Sequence, residues 1–192
     1  MNPDIWLFHA LNQFVGTVPL VDWLARALVN DYAVPTAMSL VAVALWFAGA
    51  TPEERTNNQR AVIFIALALL FCNALIKDLS YLYFRPRPFA TETVKLLFYR
   101  PSVSSFPSIP IEVAFCFAAG AWYANPRISR FLFLLGTFYA LARVYSGVHF
   151  PSDVIGGALI GAGMVYIIVR LDFVFVPVAD WAIQLARRLQ FS

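Results

Sequence analysis

Long apolar runs alternate with short polar breaks along most of the chain, and this pattern predicts helices that cross a membrane. A helix needs about 20 apolar residues to span the bilayer core. Runs that approach or reach that length lie at residues 33–50, 61–84, 111–124, 131–148 and 152–170. We therefore expect an all-α fold, an integral membrane bundle of five to six transmembrane helices. Residues 33–170 would form its core within a single domain over residues 1–192.

The two ends of the chain are less apolar than its middle. Residues 1–32 mix large apolar side chains with polar neighbours, which predicts N-terminal helices lying in the membrane interface. Residues 171–192 fit a C-terminal helix, and the pattern leaves open whether it is a sixth span or a surface helix. Residues 85–108 are rich in proline and polar side chains, so we expect a loop outside the lipid.

Composition supports a membrane protein. Hydrophobic residues make up 60% of the chain and charged residues 13%, against roughly half and a quarter in soluble proteins. We expect no cleavable signal peptide, because the start of the chain lacks its features. The net charge of +3 is not gathered into a basic tail, and this argues against nucleic acid as a partner. Cys72 and Cys116 lack paired spacing and are interpreted as packing residues. Gly157 and Gly161 form a G-x-x-x-G step, which favours close helix packing.

The order of the spans brings polar residues together at one side of the membrane. If successive spans alternate in direction, one side holds Arg85, Arg87, Lys95, Arg100, Ser108, Arg143, His149 and Asp153, and the other holds Arg55, Arg60, Arg127, Arg130 and Arg170. Basic residues are enriched in cytoplasmic loops. If the first set is reserved for a site, the second set marks the cytoplasmic side, and we expect the site to face outward.

Several arginines beside one histidine and one carboxylate suit phosphoryl chemistry. The guanidinium fork matches phosphate oxygens and can neutralise a phosphoryl group in transfer. His149 can attack phosphorus to form a phosphohistidine that water then hydrolyses. Asp153, four residues on at the start of a helix, can hold the imidazole in the required tautomer.

Each of these residues also has a plainer interpretation when it is taken alone. His149 can be an interfacial or capping residue at a helix end. Ser152 or Asp153 can be an ordinary helix cap, and Arg143 can pair with a carboxylate of a neighbouring helix. Their joint occurrence on one side of the membrane is harder to explain in that way, and it favours a phosphate site.

The motifs resemble those of the type 2 phosphatidic acid phosphatase family, membrane lipid phosphatases related to vanadium haloperoxidases. The resemblance rests on "RPRP" at 85–88, "FPS" at 106–108 and the Arg-x5-His-x3-Asp pattern at 143–153. It implies that His149 is the nucleophile and Asp153 its orienting partner. It also implies phosphate contacts from Arg143, Arg87 or Arg85, Ser108 and the family's lysine, for which Lys77 is the candidate.

Ile109 and Ala142 replace a glycine and a serine of the family pattern, and two further departures bear on the chemistry. The family has six residues between its lysine and arginine, whereas seven separate Lys77 from Arg85 and nine separate it from Arg87. The family's general-acid histidine is replaced by Pro110, which has no proton to give; Glu112, two residues on, is a possible proton donor, although a polar residue at a helix start is the more ordinary interpretation. Loss of a general acid lowers the reaction rate by about 10²–10⁴-fold. The loss is smaller for a diphosphate, because its leaving phosphate is already a weak base.

We therefore expect a lipid phosphatase for a polyprenyl diphosphate, such as the undecaprenyl carrier of cell-wall precursors. Two alternatives remain open: an impaired relative that binds or moves a lipid phosphate, and a phosphotransferase that passes the phosphohistidine to another acceptor. The sequence offers no cluster of carboxylates or histidines for a metal, so we expect no metal and no other cofactor. Its partners would be membrane lipids and the lipid substrate, and the sequence leaves the oligomeric state open.

Overall fold

The computed structural model describes residues 2–189, and within them the chain forms nine helices and no strand. The helices are α1 Pro3–Asn12, α2 Pro19–Val29, α3 Ala33–Phe47, α4 Pro52–Leu82, α5 Pro88–Thr91, α6 Ile109–Ala124, α7 Pro126–Tyr145, α8 Pro151–Arg170 and α9 Asp172–Arg188. The predicted all-α fold is confirmed.

Helix starts follow local chemistry more than hydropathy. Proline occupies the first turn of α1, α2, α4, α6, α7 and α8, where its missing N–H costs nothing. Helix α4 begins nine residues before the predicted start at 61, because Thr51 caps it by accepting a hydrogen bond from Glu54 N at 3.1 Å. Two glutamates in its first turn add a favourable interaction with the helix dipole.

Three helices, α4, α7 and α8, are long and apolar enough to cross a membrane. Helices α2 and α3 make a fourth candidate if they form one broken span, with a bend of 57° between them. Helix α6 is apolar but has only 16 residues. A multi-pass membrane protein is therefore confirmed, and the expected count of five to six spans stays a prediction, as does the interfacial position of α1 and α2.

Helix α6 lies at the centre of the bundle and packs against α3, α4, α7 and α8. Its contact with α8 is backbone to backbone, because a Cβ atom at Gly157 would lie 2.4 Å from the Ser108 carbonyl oxygen and one at Gly161 would lie 2.3 Å from that of Glu112. The predicted role of this glycine step in close packing is confirmed.

This packing places the functional loops at one end of the bundle. Ser108 N, before α6, donates to the Asp153 carbonyl in α8 at 3.0 Å, and Ser105 N donates to the Arg85 carbonyl at 2.9 Å. The segment between α4 and α6 is thereby held against the start of α8. At the other end, the Arg60 guanidinium holds α9 on α4 through two bonds to the Asp180 carboxylate, at 2.7 and 2.8 Å.

Candidate active site

His149 lies at the turn between α7 and α8 and is fully buried. Its Nδ1 is 3.0 Å from the Ser105 carbonyl oxygen, which can only accept, so Nδ1 carries the proton. Its Nε2 is then unprotonated and faces two donors, Arg87 Nη1 at 3.2 Å and Ser108 Oγ at 3.3 Å. The imidazole therefore directs the lone pair of Nε2 toward an arginine and a serine hydroxyl.

The surroundings of His149 keep its imidazole neutral. Burial lowers its pKa to about 4, and the positive charges of Arg143 and Arg87 act in the same direction. The imidazole is therefore neutral at physiological pH.

Asp153 sits in the first turn of α8 with no exposed surface. Its carboxylate accepts hydrogen bonds from Phe150 N at 2.8 Å, from Ser105 Oγ and from Arg85 Nη1. One oxygen also lies 3.7 Å from His149 Nδ1. The carboxylate is therefore both a helix cap and a negative charge beside the imidazole, while the nearer acceptor of the Nδ1 proton is the Ser105 carbonyl.

The two arginines of the RPRP motif have different surroundings. The Arg85 guanidinium donates to Asp153, to Asp4 Oδ2 at 2.6 Å and to Ser152 Oγ at 2.6 Å, and its charge is thus neutralised by two carboxylates. The Arg87 guanidinium instead donates to backbone carbonyls, those of Val103 at 2.9 Å and Val148 at 3.0 Å among them.

Burial lowers the pKa of Arg87 to about 10, and the neighbouring charge of Arg143 contributes, so the group stays protonated at neutral pH. A buried cation whose partners are carbonyl oxygens and the neutral His149 imidazole is well suited to meet an anion.

Arg143 ends α7 and is 1% exposed. Its Nη1 donates to the Val29 carbonyl at 2.9 Å and to the carboxylate of Asp31, in the turn between α2 and α3. Arg143 Nε is buried without a partner in the part of the chain that the structure describes. Arg143 is thus paired with a carboxylate, as its plainer interpretation expects, and it also lies at the candidate site.

Arg87 and Arg143 line one pocket of about 300 Å³. Asp31, Tyr99 and Pro110 lie in the same wall, and the Tyr99 hydroxyl donates to Asp31 Oδ2. This feature, which we call the arginine pocket, has room for a phosphate group and holds two guanidinium groups against one carboxylate. Pro110, at the start of α6, brings no proton donor to it.

A second and larger cavity of about 710 Å³ adjoins the arginine pocket. The two share Val103, Ser104, Ile109 and Val113 as lining residues, and the rest of the larger wall comes from α3, α4, α6 and Phe84. Lys77 and the buried Glu112 line this larger cavity. Neither residue lines the arginine pocket.

The structure therefore divides the residues that the sequence predicts for the site. It brings His149, Asp153, Ser108 and Arg87 together, and it places Arg143 in the same pocket as Arg87. Arg85 pairs with the carboxylates of Asp153 and Asp4, whereas Lys77 and Glu112 line the adjoining larger cavity.

Sequence reasoning missed three residues: Asp31, Tyr99 and Ser105. Asp31 had one usable signal, since it is an acidic residue in the polar break before an apolar run. The Ser105 carbonyl and the Tyr99 hydroxyl act through contacts that depend on how the loop folds, and nothing in the sequence marks them.

Three potential metal ligands meet away from the arginine pocket. Both cysteines are free and buried, and their Sγ atoms are 4.0 Å apart. Cys116 Sγ lies 3.1 Å from Glu112 Oε1, and one ligand atom from each of Cys72, Glu112 and Cys116 falls within 4.8 Å of the others. Spacing in the sequence did not reveal this cluster, because Cys72 comes from α4 and the other two residues from α6.

Comparison with known proteins places the chain in a family. Residues 61–176 match the model of the PAP2 superfamily. The chain is 26% identical to the Undecaprenyl-diphosphatase BcrC of Bacillus subtilis, over 96% of this chain and 91% of that protein. It is 32% identical to the Putative undecaprenyl-diphosphatase YbjG of Escherichia coli, over 83% of this chain and 78% of that protein.

Two solved structures share the fold. Aquifex aeolicus LpxE superposes with a TM-score of 0.67 at 28% identity, covering 85% of this chain and 92% of that one. The PAP2 type phosphatidylglycerolphosphate phosphatase of Bacillus subtilis gives a TM-score of 0.63 at 19% identity, covering 90% and 87%. Since the family model matches more than half of the length of this chain, the chain belongs to the PAP2 superfamily, as its motifs predicted.

Proposed function

We propose that the protein is a membrane lipid phosphatase that hydrolyses a polyprenyl diphosphate through a phosphohistidine intermediate. The observation that carries this proposal is the state of His149, a buried neutral imidazole with its Nε2 lone pair directed at Arg87 and Ser108. Pure binding of a phosphate needs only the arginines, whereas an oriented lone pair beside them suits a nucleophile.

The first step is transfer of the terminal phosphoryl group to His149. Its Nε2 accepts hydrogen bonds from Arg87 and Ser108, so both donors must turn to phosphate oxygens as the substrate enters. The Nε2–phosphorus bond then forms while the bond from phosphorus to the bridging oxygen breaks. The lipid monophosphate leaves with the electron pair of that bond.

Positive charge develops on the imidazole and negative charge on the phosphoryl oxygens during this step. The proton stays on Nδ1, which donates a hydrogen bond to the Ser105 carbonyl oxygen, and the Asp153 carboxylate at 3.7 Å stabilises the cation. Arg87 and Arg143 stabilise the phosphoryl oxygens. In the second step water attacks phosphorus, the phosphorus–nitrogen bond breaks, and inorganic phosphate is released.

A diphosphate with an isoprenoid tail suits the two connected spaces. The larger cavity is lined mainly by apolar side chains, with Leu69, Ile76 and Phe117 among them, and it can take the tail next to the head group. Lys77 lines that cavity, where it would contact the lipid-side phosphate. Two relatives carry the name undecaprenyl-diphosphatase, which supports this substrate class.

The outward orientation of the site is part of the same proposal. The site lies at the end of α7 and the start of α8. Arg127 and Arg130, at the start of α7, and Arg170, at the end of α8, lie at the opposite ends of these helices. If those arginines face the cytoplasm, as the positive-inside rule expects, the site opens on the outer face.

Phosphate release by the purified protein tests the proposal. Wild-type protein in detergent should release inorganic phosphate from a polyprenyl diphosphate, and His149→Gln should abolish release. His9→Gln is the matched control, because His9 lies outside the site and bonds Glu92 at 3.1 Å. Equal activity in wild type and His149→Gln would refute the nucleophile.

One observation favours a second function, binding of a lipid phosphate without hydrolysis. Pro110 occupies the wall of the arginine pocket where an acid would be useful. The same assay separates the two functions: a wild-type protein that retains a radiolabelled polyprenyl diphosphate but releases no phosphate would be a binding protein.

A further inference from the structure

We propose that Cys72, Glu112 and Cys116 form a binding site for a zinc ion inside the helical bundle. This inference is independent of the proposed phosphatase function, because none of the three residues lines the arginine pocket. The sequence alone predicts a packing role for both cysteines, and the zinc site gives them a chemical role as well.

The three ligands come from two helices that pack against each other. Cys72 lies in α4, whereas Glu112 and Cys116 lie one turn apart on one face of α6. The two Sγ atoms are 4.0 Å apart, and Cys116 Sγ is 3.1 Å from Glu112 Oε1. One ligand atom of each residue lies within 4.8 Å of the other two. Thiolate sulfur and carboxylate oxygen are both ligands that zinc takes in proteins.

The separations of these ligand atoms suit a tetrahedral zinc ion. Zinc binds thiolate sulfur at about 2.3 Å and carboxylate oxygen at about 2.0–2.2 Å. Around one tetrahedral ion, two sulfur atoms are therefore about 3.8 Å apart, and a sulfur and an oxygen are about 3.5 Å apart. The observed distances of 4.0 and 3.1 Å are close enough that small rotations of the side chains would close the site around the ion.

Burial leaves the Glu112 carboxylate in need of a cation. Glu112 is 2% exposed, and both cysteines are fully buried. Within residues 2–189, which the structure describes, this carboxylate forms no ion pair. Its contact at 3.1 Å is with the Cys116 thiol, and a thiol is a weak donor. Buried charges in proteins are paired or bound to a metal, and a zinc ion would meet that requirement.

The charges of the site and its surroundings balance when zinc is bound. Two thiolates and one carboxylate carry three negative charges, and zinc carries two positive charges. Lys77 lines the larger cavity together with Glu112 and supplies one further positive charge. Three protein ligands leave a fourth position for water, and the same cavity provides a path of entry for both the ion and the water.

Zinc binding by the purified protein tests the site directly. Untagged protein in detergent would be equilibrated with buffered free zinc, and its metal content would be measured by plasma mass spectrometry. We expect one zinc ion per chain and protection of both thiols from alkylation. Replacement of zinc by cobalt should produce a sulfur-to-metal charge-transfer band. The last two measurements report on the thiols in the wild-type protein and need no variant.

Variants then assign the ligands. Cys72→Ser and Glu112→Gln should each lower zinc affinity by more than about 100-fold, because loss of even an outer-shell partner lowers metal affinity by about 10–100-fold. His9→Gln is the matched control. It removes the partly exposed pair of His9 and Glu92, 3.1 Å apart, which is where a zinc ion would bind adventitiously. This variant should still bind one zinc ion per chain, and thermal unfolding checks the fold of each protein.

Several results would overturn the zinc site. A wild type that takes up no stoichiometric zinc would leave the three residues as a hydrogen-bonded set in the core. Binding that is lost in His9→Gln, or unchanged in Cys72→Ser, would place the ion elsewhere. Zinc-loaded wild type with both thiols open to alkylation would exclude the site even if a variant failed to fold. Phosphate release is not measured in this experiment, so its outcome is separate from that of the proposed function.

Discussion

Replacement of Asp153 by asparagine measures how much of the catalysis depends on its charge alone. In the serine-protease triad the same change lowers kcat by about 10⁴-fold, because the imidazole adopts the wrong tautomer. Here the Ser105 carbonyl oxygen, 3.0 Å from Nδ1, accepts a hydrogen bond from Nδ1 and so keeps the proton on that nitrogen. Asp153→Asn should therefore leave the tautomer in place and remove only the electrostatic contribution.

The size of that contribution follows from the geometry. Two unit charges 3.7 Å apart interact by about 4.5 kcal/mol at an effective dielectric constant of about 20. With about half a positive charge on the imidazole in the transition state, this interaction falls to about 2 kcal/mol, and its loss lowers kcat by roughly 30-fold. The neighbouring charge of Arg85 makes this an upper value.

Phosphate release from a polyprenyl diphosphate by purified Asp153→Asn is the assay, with thermal unfolding in detergent to confirm the fold. The fold check matters because the carboxylate also caps α8 through Phe150 N, and an asparagine oxygen can keep that bond. A fall of 10⁴-fold in a folded protein would refute the role given to Ser105. No fall at all would refute the electrostatic role of Asp153.

Three further predictions concern other parts of the protein. His149 should titrate near pH 4 in an NMR titration of labelled histidine, because burial disfavours the charged imidazole; His9→Gln assigns the signals, and a midpoint of 6 or above would contradict this. Since the ordinary pKa is 6.5, the contribution of His149 to the free energy of unfolding should be complete above pH 6.5 and decline as the pH falls toward 4. Gly161→Ala should lower the unfolding midpoint by a few degrees, because its Cβ would meet a backbone carbonyl of α6 at 2.3 Å, whereas Gly163→Ala, with nothing within 4 Å, should not; equal effects would refute the close contact. Pro110→His should raise the rate on a lipid monophosphate more than on a diphosphate, because an alkoxide leaving group needs protonation more, and equal gains in a phosphate-release assay would undercut that reasoning.

The helices could be predicted from the sequence because hydrophobic periodicity and the preference of proline for helix starts are local properties of the chain. Helices α6 and α8 lie close to their predicted spans and α7 starts five residues early, and each has proline in its first turn. Helix α4 starts earlier than predicted because a cap and a charged first turn can extend a helix beyond its apolar part. Hydropathy alone does not report that contribution.

The candidate site could be predicted only in part from the sequence, for a physical reason. His149, Asp153, Ser108 and Arg87 belong to motifs whose members meet once adjacent helix ends share one side of the bundle. The contacts that decide what each residue does come instead from distant parts of the chain. Arg143 is paired with Val29 of α2 and with Asp31 in the turn after it, and the tautomer of His149 depends on a loop carbonyl 44 residues away.

Arg85 shows why this distinction matters for function. From the motif it is equivalent to Arg87 as a phosphate ligand, but its partner Asp4 comes from α1. That carboxylate accepts from Arg85 Nη2 at 2.6 Å and also from Ser152 N at 2.8 Å, so α1 is bound to the start of α8. Since Arg85 is neutralised there, the positive charge of the arginine pocket comes from Arg87 and Arg143, and the N-terminal helix contributes to the site by holding Arg85, and through it Asp153, in place.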